Sequence, residues 1–329
     1  MDNGQLIISL DYELHWGFFD KKSINQYSDN LINVPKVITR LLELSSKYQV
    51  RLTFATVGFL FAKNKNELIQ YSPSKKPNYE NALLNAYNLI DSIGINEYDD
   101  PYHYAHSSLK SINQNGAHEI CTHTFCHYYC NENGQTKEEF NADIISAKKI
   151  ATNFGVDLKS IVFPRNQVHN EYLKICSQNN ISSYRGTEKA KMYSISPRSK
   201  HYNSPVFRIA RLLDSYTNIT GQNTYDTIKI NLDQSIVNLP SSRFLRPYNK
   251  KLRILESIKL RRIKKGMTHA AKNNQLYHLW WHPHNFGKHI DENFKNLEDI
   301  FIQYQTLNKK YGFKSETMSS LASKVLTKI

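Results

Sequence analysis

The sequence predicts an α/β fold with a parallel sheet or barrel, on three observations. Short apolar runs that read as buried strands alternate along the chain with amphipathic stretches of helical period. The first strand, helix and second strand fall within residues 5–61, as one parallel crossover unit requires. Four candidate strands end in acids, imidazoles or an Arg-Asn pair, at the position where parallel α/β folds assemble their sites.

"QLIISLDYE" is an apolar run ending in Asp11 and Glu13, a buried strand whose C-terminal end meets a site. "VPKVITRLLELSSKYQV" spaces Val37, Leu41, Leu44 and Tyr48 along one helical face. "RLTFATVGFLF" is rich in β-formers and is stopped by Gly58. From about 63 to 115, Pro73, Pro77 and Pro101 exclude one long helix, so this segment is expected as an excursion over one face. "AHEICTH" reads as the third strand. In "QTKEEFNADIISAKKIATNFG", Thr136 and Glu139 form a capping box, Phe140, Ile144 and Ala151 form the apolar stripe, and Gly155 ends the helix. "KSIVFPRN" is a fourth strand, and "EYLKICSQNNISSYRG" is a helix leading into another.

Residues from about 187 to 270 are less regular. Within them "KKLRILESIKLRRIKK" carries eight basic residues and one acid, with Leu252, Leu255, Ile258 and Ile263 as the stripe of an amphipathic helix. "QLYHLWWHPHNF" is a late strand broken by Pro283, and helices are expected from about 293 to 311 and in "KSETMSSLASKVL". With no repeat and no low-complexity tract, residues 1–329 are taken as a single barrel domain.

A chain of 329 residues suits an α/β barrel with insertions. Its net charge of +14 favours a polyanionic partner or an anionic membrane surface. No run reaches the roughly 18 apolar residues of a membrane-spanning helix. "MDNGQLIISLDYEL" lacks the basic start and cleavage site of a secretory leader. Four cysteines, three of them clustered, suit a reducing compartment better than a disulfide framework. The expectation is a cytoplasmic protein, with a peripheral place on the inner membrane face as an option. The absence of GxSxG, Walker and dinucleotide patterns argues against serine-hydrolase and nucleotide-driven chemistry.

"HEICTHTFCHYYC" holds the densest set of metal donors. His123 and His127, spaced i, i+4, can present two imidazoles from one side of a helical turn. A carboxylate from another strand would give three protein ligands and an open position, the pattern of a catalytic site. Cys126 and Cys130 share the same spacing, so spacing alone does not choose histidine over sulfur.

Five segments in order, "SLDYELHWG", "RLTFATVG", "HEICTHTFCH", "VFPRN" and "HLWWHPHNF", resemble the motifs of the polysaccharide deacetylases of carbohydrate esterase family 4, the NodB-homology domain. The resemblance implies a distorted (β/α)7-8 barrel that removes acetyl groups from N-acetyl sugars with one divalent metal ion, Zn2+ being the leading choice. It implies Asp11 as general base and Glu13, His123 and His127 as metal ligands, "DYE" standing where the family usually has adjacent acids. His282, directly after the late strand, is implied as general acid, with His284 as its competitor. Arg165, in the order Pro-Arg, is the candidate to orient Asp11, and Asp214 the candidate carboxylate behind His282. Tyr12, Trp281, His284 and Asn166 are candidate substrate contacts, whereas Trp280 is expected in the core.

The implied substrate is an N-acetylated sugar or oligosaccharide in a cell-surface glycan or its precursor. Residues 250–265 could then meet an anionic membrane or a pyrophosphate group, with nucleic acid a poorer partner. Two alternatives remain: a barrel hydrolase of another C–N amide bond, and a non-enzymatic polyanion-binding protein stabilised by zinc on Cys121, Cys126 and Cys130. The second fits the cysteine spacing poorly.

Overall fold

A computed structural model describes residues 3–194, 204–226, 232–233 and 236–327. Its strands, in chain order, are β1 (Gln5–Tyr12), β2 (Thr53–Thr56), β3 (Glu119–Thr122), β4 (Ser160–Ile161), β5 (Ser183–Tyr184), β6 (Tyr225–Asp226), β7 (Leu232–Asp233), β8 (Ile236–Asn238), β9 (Arg243–Phe244), β10 (Gln275–Trp281) and β11 (Lys314–Glu316). The order β10-β1-β2-β3-β4-β5-β8 is parallel throughout. β9 adds parallel to β10, and β11 to the start of β1. β6 and β7 are antiparallel additions.

The chain between β8 and β9 completes the circuit. Leu239 N–H donates to the Tyr184 carbonyl and Ser241 N–H to that of Gly186, while Ser242 N–H donates to His278 on the far side. The barrel is therefore closed by a crossing segment rather than a ladder, which is its distortion.

Alternation along the strands decides what each face carries. On β1, Leu6, Ile8, Leu10 and Tyr12 point outward into the layer beneath the helices. Ile7 points inward, in one cluster with Ala55, Cys121, Val162, Val237 and Leu276. Ser9 and Asp11 share its parity and are buried. Outside the barrel, helix Val34–Tyr48 turns Val37, Ile38 and Leu41 inward, helix Ile290–Tyr311 packs beside it, and helix Glu256–Lys272 packs beside that one. Helix Met318–Leu326 plugs one end, where Met318, Leu321, Ala322 and Val325 join the interior cluster. The strand C-termini are left to form the open end.

The excursion at 63–115 contains helices Lys65–Tyr71 and His106–Asn115 with 3-10 turns between them. β11 and the start of the last long helix at Ile290 were not expected from the sequence, since "KSE" has no apolar run and the helix is entered through His289, left-handed at φ 55° and without a capping side chain. The basic stretch divides into a 3-10 segment, Lys250–Leu255, and helix Glu256–Lys272. Lys259 and Arg262 are turned inward, paired with Glu256 and Asp214, so the outward basic face of 250–265 is smaller than expected. Parts of the irregular region, residues 195–203, 227–231 and 234–235, lie outside the described residues. Among the described residues no helix is long and apolar enough to cross a membrane.

Candidate metal centre

β1 delivers Asp11 to the open end, and Glu13 follows one pleat later. β3 delivers His123, after which the chain turns sharply. The expected helical turn is absent: residues 123–127 are a loop with Thr124 at φ 63° and His127 at φ 60°. These left-handed residues, not helix periodicity, bring the two imidazoles together. Five non-glycine residues with left-handed φ, Leu14, Thr124, His127, Arg165 and Asn166, lie in the loops of this site. Each costs roughly 1–3 kcal/mol, which the surrounding structure has to hold in place.

That holding is visible. The Thr124 hydroxyl accepts from Tyr128 N–H and donates to the His123 carbonyl, both at 2.6 Å. Asp143, fully buried on helix Lys137–Asn153, accepts Phe125 N–H at 2.6 Å and Cys126 N–H at 3.0 Å. Burial pushes its carboxyl up to about 6 against those hydrogen bonds.

Glu13 Oε2 lies 3.3 Å from His123 Nε2 and 3.2 Å from His127 Nε2. One donor atom from each of the three residues falls within 4.8 Å of the others. The His123 Nδ1–H is aimed at the Val162 carbonyl, 2.7 Å away, and His127 Nδ1 lies 3.0 Å from the Tyr129 hydroxyl. Both Nε2 atoms are thereby oriented toward the gap, as metal-ligating histidines require. Burial pushes the His127 imidazole down to about 4, so it is neutral and ligand-ready at neutral pH. Burial pushes the Glu13 carboxyl up, but the His282 charge and the hydrogen bonds of His123 and His127 outweigh it and hold it well below the usual range. Two imidazoles and one carboxylate with room for a further ligand match a catalytic divalent-metal set.

Gly17 supports Glu13 from behind. A Cβ placed there would meet the Glu13 carboxyl carbon at 2.0 Å. Gly17→Ala therefore displaces the carboxylate without removing a donor, and metal affinity is expected to fall about 10–100-fold in a titration. Unchanged affinity would show that Glu13 is not a ligand.

Arg185, not Arg165, holds Asp11. Its Nη1 and Nη2 bind the two Asp11 oxygens at 2.6 and 2.8 Å, and it also donates to Ser9 Oγ and Asn166 Oδ1. Burial pushes the Asp11 carboxyl up, but the Arg185 guanidinium, with His123 and His282, holds it below the usual carboxylate value. Below this pair, His278 Nε2 contacts Ser9 Oγ at 2.9 Å, extending the polar interior into the barrel. Arg165 instead pairs with Asp20 at 2.5 Å and lies over the Tyr129 ring, because its left-handed backbone turns it away from β1. Arg185 follows the two-residue β5, so only its strand-end position could have marked it in the sequence.

His282 Nε2 lies 3.5 Å from Glu13 Oε1 and 3.8 Å from Asp11 Oδ2. Its Nδ1 faces the Asn285 amide at 3.3 Å. Asp214 is not behind it: that carboxylate is taken by Arg243 and Arg262. His284 is buried between Phe18 and Tyr27 with Nδ1 unpartnered, and burial pushes it down to about 3.

The tryptophans exchange their expected places. Trp281 is fully buried and stacks on Phe286, whereas Trp280 lines the cleft, with Arg185 over its ring and Phe244 beside it. Tyr12 points outward and is buried, so it does not line the cleft. Asn166 does, through its bond to Arg185. The cleft has a volume of about 730 Å3 and brings together Asp11, Glu13, His123, His127, Trp280 and His282.

All four cysteines are free and buried, and burial pushes their thiols up, away from the thiolate a metal needs. Among the described residues no group of three or more His, Cys, Asp and Glu donors gathers besides Glu13, His123 and His127. The structural zinc site on cysteine is thereby overturned.

No functionally curated protein matches the sequence. Solved structures share the fold. A Mycobacterium smegmatis protein assigned as a polysaccharide deacetylase has 12% identity and a TM-score of 0.61, over 100% of this chain and 92% of its own. A protein of Pseudomonas aeruginosa PAO1 with the same assignment has 11% identity and a TM-score of 0.54, over 97% and 89%. The allantoinase Puue has 12% identity and a TM-score of 0.53, over 97% and 89%. The sequence itself matches the polysaccharide deacetylase family model over residues 19–184, which includes both histidines but neither Asp11, Glu13, Arg185 nor His282. On that match, with the fold now described, the chain belongs to the polysaccharide deacetylase family, hydrolases that act on carbon–nitrogen bonds.

Proposed function

We propose that the protein removes the N-acetyl group from an amino sugar in a glycan or glycan precursor, using one divalent metal ion, Zn2+ by donor chemistry. The observation that carries this reading is the convergence of three elements in one cleft: the Glu13–His123–His127 set, the Arg185-paired Asp11, and His282. An ion held by that set would polarise the acetamide carbonyl and acidify a water at neutral pH.

The protein's own groups do the rest. Asp11, kept ionised by Arg185, takes a proton from the attacking water as the new C–O bond forms. His282 gives a proton from Nε2 to the sugar nitrogen as the C–N bond breaks, releasing acetate and a free amine. Positioned proton transfer of this kind contributes about 10²–10⁴ in rate. His282 takes this role over His284 because its Nε2 stands beside both acids, whereas His284, which also lines the cleft, is packed against Phe18 and Tyr27. Trp280 and Phe244 offer the aromatic wall on which a sugar ring can lie.

The test is acetate release from N-acetylated amino sugars, neutral and phosphorylated, read together with zinc stoichiometry. The native chain is expected to bind one zinc and release acetate; His123→Ala is expected to lose both. Full activity without bound metal, or in His123→Ala, would overturn the assignment.

A further inference from the structure

Beyond Trp280 the cleft opens into a second basin of about 500 Å3 that the proposed reaction does not use. The two share Arg165, Asn166, Phe244, Trp280 and His282, so a ligand can span both. Among the described residues four guanidinium groups, Arg165, Arg211, Arg243 and Arg246, line this basin against one carboxyl, Glu188.

Their partners differ. Arg165 is neutralised by Asp20, and Arg243 by Asp214. Arg246 is half-buried and donates only to neutral oxygens among the described residues: Ser215 Oγ at 2.5 Å and the Arg211 carbonyl at 3.3 Å. Burial pushes the Arg246 guanidinium down, with Arg211 and Arg243 pushing the same way and the Tyr193 and Tyr216 hydroxyls opposing. Glu188, the basin's one carboxyl, is buried and forms no ion pair with Arg246 among the described residues. A half-buried cation without an acid is costly, and an incoming anion would relieve it.

We propose that this basin binds a phosphate of the substrate through Arg246, so that the acetamido sugar reaching Asp11 and His282 is a glycosyl phosphate or diphosphate rather than a neutral polymer. The inference rests on the deacetylase reading and narrows its substrate class. A guanidinium fork matches phosphate oxygens in a bidentate manner, which a neutral glycan would leave unused. The shared wall places the sugar ring on Trp280, with its acetamido group in the metal basin and its phosphate on the arginine side.

Inorganic pyrophosphate is the first probe, titrated calorimetrically into the full-length, metal-stripped protein so that no deacetylation is involved. Binding is expected, weakened at least about 10-fold in Arg246→Gln while zinc stoichiometry stays unchanged as evidence of an intact fold. Arg246→Lys, which keeps the charge but not the fork, is expected to fall between. Absence of binding, or equal binding by Arg246→Gln, would overturn the proposal. Turnover is the second probe: kcat/KM for N-acetylglucosamine 1-phosphate is expected to exceed that for N-acetylglucosamine at least about 10-fold, and the preference to vanish in Arg246→Gln. Equal values in the native protein would also overturn it. Displacement of pyrophosphate by uridine diphosphate or by farnesyl diphosphate separates a nucleotide-linked from a lipid-linked source, the tighter competitor naming it. Arg246-dependent binding without turnover of any acetamido sugar would keep the anion site and defeat the deacetylase reading.

Discussion

Arg185→Met is expected to abolish acetate release and to lower stability by about 3–5 kcal/mol, because it strands the Asp11 carboxylate in the barrel interior. Both side chains are nearly inaccessible, 1% and 5% exposed, so solvent screens little of the pair. Arg165→Met is the control. Its partner Asp20 loses one charged hydrogen bond, so the cost is expected at about 1–3 kcal/mol, with kcat/KM within about tenfold of native. Denaturant unfolding at neutral pH and acetate release distinguish the two. A larger loss of activity in Arg165→Met than in Arg185→Met would return the orienting role to Arg165.

The pH dependence follows from the direction of the Asp11 shift. Its folded-state pKa is depressed by Arg185, with burial working the other way. The pair therefore contributes stability that is fully present above the unfolded carboxylate value of about 3.9. That contribution is lost as the pH falls through the lower folded value. Arg185→Met is expected to flatten this acid limb of the stability profile. In the double substitution with Asp11→Leu the loss should be partly recovered, because no buried charge is then left without its partner.

The legible part of the molecule is the part whose signal is local. Apolar runs marked β1, β3 and β10, and reactive residues at their ends pointed to Asp11, Glu13, His123, His127 and His282, which the fold brings into one cleft. Arg185 does not stand out in the sequence although a strand is expected before it, because β5 is only Ser183 and Tyr184 and Arg185 stands in none of the five segments that carry the family resemblance. Trp280 and Trp281 were misplaced for a different reason. A one-residue change of register exchanges the faces of a strand, and the pairing Ser9↔Trp280 is what puts Trp280 inside. Tyr12 needed no structure: with Asp11 and Glu13 both inward, the residue between them must point out. The left-handed Thr124 was beyond the sequence, since a β-branched residue rarely adopts that conformation, and His127 was only weakly signalled by the enrichment of His there.

Asp11→Asn separates the acid at the end of β1 from the one that follows it. Glu13 Oε2 stands between two imidazole nitrogens, whereas both Asp11 oxygens are bound by Arg185 and Asp11 is outside the three-donor set. Asp11→Asn is therefore expected to keep one zinc with near-native affinity while kcat falls by about 10²–10⁴, the range a positioned proton acceptor supplies. KM should change little, since the amide has the same shape and leaves the Trp280 wall in place. Glu13→Gln should do the reverse at the first step, losing zinc before any rate can be read. Stability will also fall in Asp11→Asn, because Arg185 keeps its charge opposite a neutral amide, so zinc titration and circular dichroism must accompany the kinetics. If Asp11→Asn loses zinc as Glu13→Gln does, Asp11 is a ligand and the base lies elsewhere. If it keeps both zinc and full activity, the proton leaves the water by another route, and the buried Arg185–Asp11 pair is part of the barrel's framework alone.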